Sequence, residues 1–246
     1  MGHWYLDERF WVETYPFMFS QQRLEGADLE VEQALALAGS SRPRVCDLCC
    51  GPGRHAVALA RRGLRVTAVD ASEYLLGAAR ERARCEGVDV EWCHQDMREH
   101  RRPGAYDLVV NLFTSFGYFA DEADDLRVLR NVRESLAESG VLLMELAGKE
   151  WLAENFVATS SSESADGALL IERRRVVDGW SAVENRWTLI SDGRVRTFEF
   201  RHTVYSGREL KERLLGAGFN VVSLFGDLAG NPYAPGAARL VVRAQR

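Results

Sequence analysis

The stretch Val45–Asp70, VCDLCCGPGRHAVALARRGLRVTAVD, constrains the fold more than any other part of the chain. A short apolar run, Val45–Leu48, enters a Gly51-Pro52-Gly53 turn, and Arg54–Arg62 then reads as a helix that Gly63 ends. Leu64–Val69 follows as a β-branched strand and finishes on Asp70. Strand, glycine turn, helix and strand in this order form a βαβ unit, with parallel strands and a right-handed crossover.

The alternation continues downstream. Ser72 caps a helix with Leu75, Leu76, Ala79 and Ala83 on one face, and Gly87 stops it. Val88–Cys93 and Asp107–Leu112 predict a third and a fourth strand. A helix from about Asp121 to Gly140 turns Leu126, Leu129, Val132 and Leu136 inward, and Val141–Leu146 predicts a fifth strand. After a helix over Ser206–Ala217, ended by Gly218, the runs Val221–Phe225 and Leu240–Arg243 complete the set. The prediction is an α/β fold, a doubly wound, seven-stranded, mostly parallel sheet, with residues 39–150 and 206–246 as its core.

Two segments stand outside that rhythm. Residues 1–38 hold an aromatic-rich start (4–19) and an amphipathic helix over 28–38 with Leu29, Val31, Leu35 and Leu37, broken at Ser41–Arg44; this segment reads as a lid. Residues 151–205 lie between strands five and six. There, 158–167 (ATSSSESADG) reads as a mobile loop, and three runs follow: Leu169–Val177, Trp180–Ile190 and Arg194–Tyr205. Asp178-Gly179 and Asp192-Gly193 separate them, and Asp-Gly between strand-like runs marks hairpins, so the prediction is a three-stranded antiparallel insertion. It would serve as a substrate lid or an oligomer contact, since open strand edges can pair between copies into a homo-oligomer.

Composition narrows the function classes. Net charge is −5 and the longest basic run is the triplet Arg173–Arg175, which points away from a nucleic-acid partner. No apolar stretch of about 18 residues is present for a membrane span, and the N-terminus has no leader-like apolar core. Five cysteines, with Cys46, Cys49 and Cys50 crowded into one apolar segment, read as reduced thiols of a cytoplasmic chain. Cys46-x-x-Cys49 and Cys93-His94 lack the second ligand pair of a structural zinc site, so inert thiols and no metal are expected.

The chemistry gathers at strand ends, where doubly wound sheets bind ligands. Asp47 lies inside the first strand, four residues before Gly51; Asp70 ends the second; Asp96-Met97 follows the third. A carboxylate at Asp70 can accept both hydroxyls of a ribose, and one at Asp96 can accept from an adenine amino group. A dinucleotide fingerprint would instead carry an apolar residue at Asp47 and a glycine at Ala56.

The Val45–Asp70 string resembles motifs I and II of the class I S-adenosylmethionine-dependent methyltransferases. HQDMRE (94–99) resembles that family's motif after the third strand, and YDLVVNLFTSFGYF (106–119) the one after the fourth. The likeness covers roughly residues 40–146, and the pair at 221–243 matches the family's antiparallel end; Cys49-Cys50 departs from the usual Gly or Ala. The resemblance implies a methyltransferase that takes S-adenosylmethionine and releases S-adenosylhomocysteine. It assigns the methionine end to Asp47, Gly51 and the Gly53 loop, the ribose to Asp70 beside Ala71, and the adenine to Asp96 and Met97. The Leu112 carbonyl would accept from the ammonium, and Tyr15 would reach the methionine carboxylate or the substrate.

Three segments are candidates for the acceptor pocket. The N-terminal aromatics include Phe10 and Trp11; the run beyond strand four offers Phe113, Ser115, Phe116 and Tyr118. The strand Arg194–Tyr205 turns Arg196, Phe198, Phe200, His202 and Val204 to one face, and Thr197, Glu199, Arg201, Thr203 and Tyr205 to the other. His202 is the candidate general base, since imidazole titrates near neutrality; Arg201 is the candidate for an anionic acceptor. An Asn/Asp-Pro-Pro-Tyr motif for methylating nucleic-acid bases is absent. The chain is similar in size and inserted sheet to small-molecule N-methyltransferases of bacterial secondary metabolism, antibiotic biosynthesis among them. N-methylation of a small amine or heterocycle is therefore expected. O- or C-methylation is the alternative, and a nicotinamide-dependent oxidoreductase or a non-catalytic cofactor binder are the more remote ones.

Overall fold

The computed structural model describes residues 3–39 and 43–246. A single 3-10 turn (Trp4–Leu6) leads into α1 (Glu8–Met18), α2 (Gln21–Glu25) and α3 (Ala27–Ala38). The break expected at Ser41–Arg44 lies partly outside the described residues. The core then runs β1 (Arg44–Leu48), α4 (Arg54–Arg61), β2 (Arg65–Asp70), α5 (Glu73–Glu86), β3 (Glu91–His94), β4 (Tyr106–Asn111), α6 (Glu122–Ser135) and β5 (Leu136–Leu146). After α7 (Lys149–Asn155) come β6 (Thr159–Glu163), β7 (Leu169–Val177), β8 (Ala182–Ser191) and β9 (Arg194–Thr203); α8 (Gly207–Gly216), β10 (Val221–Phe225) and β11 (Leu240–Gln245) finish the chain.

The main sheet has seven strands in the order β10-β11-β5-β4-β1-β2-β3, and only β11 runs antiparallel to its neighbours. The order reverses between β1 and β4, which opens the crevice of a doubly wound fold at their carboxyl ends. Alternation along the strands feeds two cores. Val45, Ala68, Leu108 and Leu143 bury one face against Val31 and Ala34 of α3 and Leu59 of α4. Cys46, Val69, Val109 and Leu142 bury the other against Leu129 and Val132 of α6 and Leu210 and Leu214 of α8.

Two expectations are corrected. The insertion has four strands, in the order β6-β7-β8-β9, rather than three. The segment read as a loop supplies β6, which pairs antiparallel with β7 from Thr159↔Arg173 to Glu163↔Leu169. Its residues are small, polar and largely exposed; ladder hydrogen bonds come from the backbone, so an edge strand of this kind carries no hydrophobic signature. The helix predicted to reach Gly140 ends at Ser135. Leu136 pairs with Tyr106, and the register then jumps to Leu108↔Val141. The intervening residues double back so closely at Gly140 that a Cβ there would lie 2.8 Å from that of Leu136.

Among the described residues, no helix is long and apolar enough to cross a membrane. No group of three or more His, Cys, Asp and Glu side chains among them is placed to hold a metal ion.

Candidate active site

A cavity opens over the carboxyl ends of β4, β1, β2 and β3, where doubly wound sheets bind ligands. Its floor begins with the turn after β1. Cys49, Gly51 and Gly53 there have positive φ angles of 61°, 55° and 75°, and the turn is held by Cys50 N–H donating to the Val69 carbonyl at 3.0 Å. A Cβ on Gly51 would point into the space before the Phe19 ring, 3.6 Å away. Gly53 differs: a Cβ there would lie 2.7 Å from Ala79 Cβ of α5, so its missing side chain serves helix packing and the residue is not in the cavity wall.

The three strand-end acids have different surroundings. Asp47 is 1% exposed and sits beneath the turn, and its Oδ2 has no hydrogen-bond partner. Burial raises its pKa, against the opposing pull of His55 and Arg54. Asp70 lines the cavity, accepting from Gly51 N–H at 2.8 Å on one oxygen and from Ser72 N–H at 2.9 Å on the other. Burial outweighs these bonds and pushes its pKa up to about 6. Asp96 is gripped by Arg98, whose Nη2 lies 2.7 Å from Oδ2. Burial alone would raise this acid, but the Arg98 bonds and charge hold it below the usual carboxylate range. Arg98 also pairs with Asp124 at 2.9 Å and lies 4.7 Å over the Phe119 ring, bracing this end of the cavity.

The wall beyond β4 is a strained loop. Phe113 and Thr114 are consecutive non-glycine residues at φ 64° and 58°, a conformation that persists only where the surroundings impose it. Phe113 N–H donates to Glu145 Oε2 at 2.9 Å, Thr114 N–H to the Glu145 carbonyl at 3.0 Å, and Ser115 Oγ to the Leu112 carbonyl at 2.9 Å. At Gly117 (φ 93°) a Cβ would lie 2.6 Å from the Thr203 carbonyl oxygen, and Thr203 N–H donates to the Gly117 carbonyl at 2.7 Å. This contact ties the loop to the inserted sheet.

The roof is the N-terminal segment. Tyr5, Trp11, Met18 and Phe19 line the cavity. Glu8, in the first turn of α1, accepts from Ser72 Oγ at 2.8 Å, Glu73 N–H at 2.7 Å and Tyr74 N–H at 3.2 Å. A carboxylate there caps the amino end of α5, where it is favoured by the free amides, and fastens the roof beside Asp70.

Residues 45–140 match the family model described as a methyltransferase domain. A structure of an S-adenosylmethionine-dependent methyltransferase from Clostridium acetobutylicum superposes with a TM-score of 0.80 at 16% identity, covering 96% of this chain and 97% of that one. Residues 45–140 are thus a methyltransferase domain, within a fold shared with S-adenosylmethionine-dependent methyltransferases. CalS10 of Micromonospora echinaspora, an amino pentose methyltransferase solved with S-adenosylmethionine bound, superposes with a TM-score of 0.68 at 21% identity over 96% of both chains. The cypemycin N-terminal methyltransferase of a Streptomyces species is 26% identical over 94% of this chain and 98% of its own length.

The methyltransferase's cavity fits its cofactor. Asp70 retains acceptor capacity beyond its two amide bonds, while Asp47, with an unpartnered oxygen suited to an ammonium, lies beneath the turn and outside the cavity wall. Of the residues singled out from sequence, Gly51, Asp70, Ala71, Asp96, Met97, Leu112, Trp11, Phe113, Ser115 and Tyr118 all line the cavity.

Others lie elsewhere. Tyr15 packs against Phe19 and Tyr74, with ring centroids 5.2 and 5.9 Å away. Phe10 faces the inserted sheet, against Trp187, Phe198 and Phe200, and Phe116 is buried beside Tyr205. Tyr205, expected on the strand face opposite His202, is buried and donates to Asp125 at 2.5 Å. Arg201 is exposed and pairs with Asp178. His202 is outside the cavity wall; its Nδ1 is 3.2 Å from Asn185 Nδ2 and its ring lies along Phe200. Burial, then the Arg174 charge, push its pKa down to about 4.

Sequence reasoning passed over Arg54 and His55, which line the cavity from the first turn of α4. Their signal was present: two basic residues at a helix amino end run against the macrodipole and call for a nearby acid. The thiols are free, Cys46 and Cys50 buried, Cys49 and Cys93 half-buried, and Cys85 exposed.

Proposed function

We propose that this methyltransferase methylates an amine nitrogen of a small molecule, as in the secondary metabolism of antibiotics. When bound, S-adenosylmethionine supplies a methyl on a sulfonium, which an acceptor lone pair displaces in line as the carbon–sulfur bond breaks to give S-adenosylhomocysteine. Asp96 and Met97 are assigned to the adenine, Asp70 to the ribose hydroxyls, and Asp47 with the Leu112 carbonyl to the ammonium. Arg54 and His55 then face the carboxylate at the β1 end of the cavity.

The observation that carries the nitrogen reading is the wall formed by Tyr5, Trp11, Tyr118 and Phe119. Burial pushes the Tyr5 phenol up to about 12 and Tyr118 higher still, so both remain hydrogen-bond donors. His3 Nδ1 lies 2.8 Å from the Tyr5 hydroxyl but His3 does not line the cavity, and His202 is outside it as well. An amine that has lost its proton to water needs no base during attack, whereas a hydroxyl is helped by one. Aromatic faces also favour the cationic product. CalS10, an amino pentose methyltransferase, and the cypemycin N-terminal methyltransferase lie on the same side.

The test is methyl transfer from S-adenosylmethionine to a panel of small amines, phenols and nitrogen heterocycles, with products resolved by mass spectrometry. Methylation at nitrogen is expected; incorporation only at oxygen or carbon refutes the reading.

A further inference from the structure

Arg54 and His55 are held by an acid on a different layer of the fold. Glu30 of α3 places Oε2 2.5 Å from Arg54 Nη1 and 2.6 Å from His55 Nε2. Both basic side chains are 5% exposed, and Glu30 lies behind them, outside the cavity wall. Arg54 is further fixed by donating to the Arg23 carbonyl at 3.1 Å and by lying 5.0 Å over the Phe113 ring. Burial would raise the Glu30 pKa, but His55 and Arg54 hold it below its ordinary value. One carboxylate oxygen thus fixes the direction of two side chains that face the ligand.

We propose that Glu30 is a positioning residue for the amino-acid end of the cofactor, presenting Arg54 and His55 to its carboxylate. The sheet order β4-β1-β2-β3 separates these residues, above β1, from Gln95–Met97, beyond β3. Glu30 therefore acts on one end of the ligand and leaves the adenosine end alone. The inference rests on the assignment of Arg54 and His55 to the carboxylate made above.

Calorimetric titration separates the two ends. S-adenosylhomocysteine carries the amino-acid end, while 5′-methylthioadenosine has the same adenosine and sulfur without it. Glu30→Gln is expected to weaken S-adenosylhomocysteine about tenfold, the scale of one charge-assisted hydrogen bond. 5′-Methylthioadenosine should change by less than about twofold, which also reports an intact fold, and Glu30→Asp should recover part of the loss. If the unaltered protein binds both ligands equally, the carboxylate assignment falls. If it distinguishes them but Glu30→Gln weakens both alike, or neither, the positioning role is overturned.

Discussion

The elevated pKa of Asp70 makes cofactor affinity depend on pH in a direction that can be worked out. Its carboxyl is held at about 6 by burial, against about 3.9 in an unfolded chain. With the folded value raised, the folded apoprotein binds the proton more tightly than the unfolded chain. The ionised acid therefore lowers stability progressively as pH rises from about 4 to 6, by on the order of 3 kcal/mol once both values are passed. With Asp70 assigned to the ribose as proposed, binding runs the other way, because the ionised carboxylate is the form that would accept from both hydroxyls while keeping the Gly51 and Ser72 amides. A group with a pKa of about 6 is roughly one-tenth ionised at pH 5 and nine-tenths at pH 7. Affinity for S-adenosylhomocysteine should therefore rise about tenfold across that interval, or about 1.4 kcal/mol.

The assay is calorimetric titration of S-adenosylhomocysteine from pH 5 to 8, with Asp70→Asn beside it. Asp125 also titrates at about 6, in its buried bond to Tyr205, but does not line the cavity; Asp125→Asn is the control that should keep the slope. A flat profile in the unaltered protein, or a slope that survives Asp70→Asn, refutes the reasoning.

Two further outcomes follow from the geometry. Gly53→Ala should destabilise the fold by about 1–3 kcal/mol in urea unfolding, because the residue lies at φ 75° with α5 in the way of a Cβ. Affinity for S-adenosylhomocysteine at low temperature should change little, and a selective loss of binding would instead return Gly53 to the ligand. His202→Gln should alter kcat by less than about threefold, whereas a general base accounts for about a hundredfold or more; a loss on that scale would reinstate His202 as the base.

What could be read from sequence divides along a physical line. Asp70 and Asp96 were legible because each stands at the end of a strand fixed by its apolar run, and a doubly wound sheet gathers such ends in one crevice; Asp47, inside β1, lies beneath the turn and outside the cavity wall. Phe10, Phe116 and His202 were misplaced for one shared reason. Apolar patterning says that a side chain is buried but not which of two neighbouring interiors takes it, and these three turned to the inserted sheet or to Tyr205. β6 was invisible because Thr159–Glu163 contributes backbone bonds and almost no buried surface. The Glu30 contact to Arg54 and His55 spans 24 and 25 residues between layers, and no local pattern encodes a pairing of that range.

The clasp that Glu8 makes on the start of α5 bears on attempts to re-engineer acceptor choice. Exchanging the roof for another enzyme's, with a junction in the turn before α2, would import new aromatic walls in one piece. It would also remove the carboxylate that receives Ser72 Oγ and the Glu73 and Tyr74 amides. A chimera that lacks an acid at this position would alter the ribose shelf along with the acceptor wall. Its cofactor affinity and its selectivity would then change together, so a graft must carry its own acid at position 8 before any change in substrate preference can be credited to the aromatic residues.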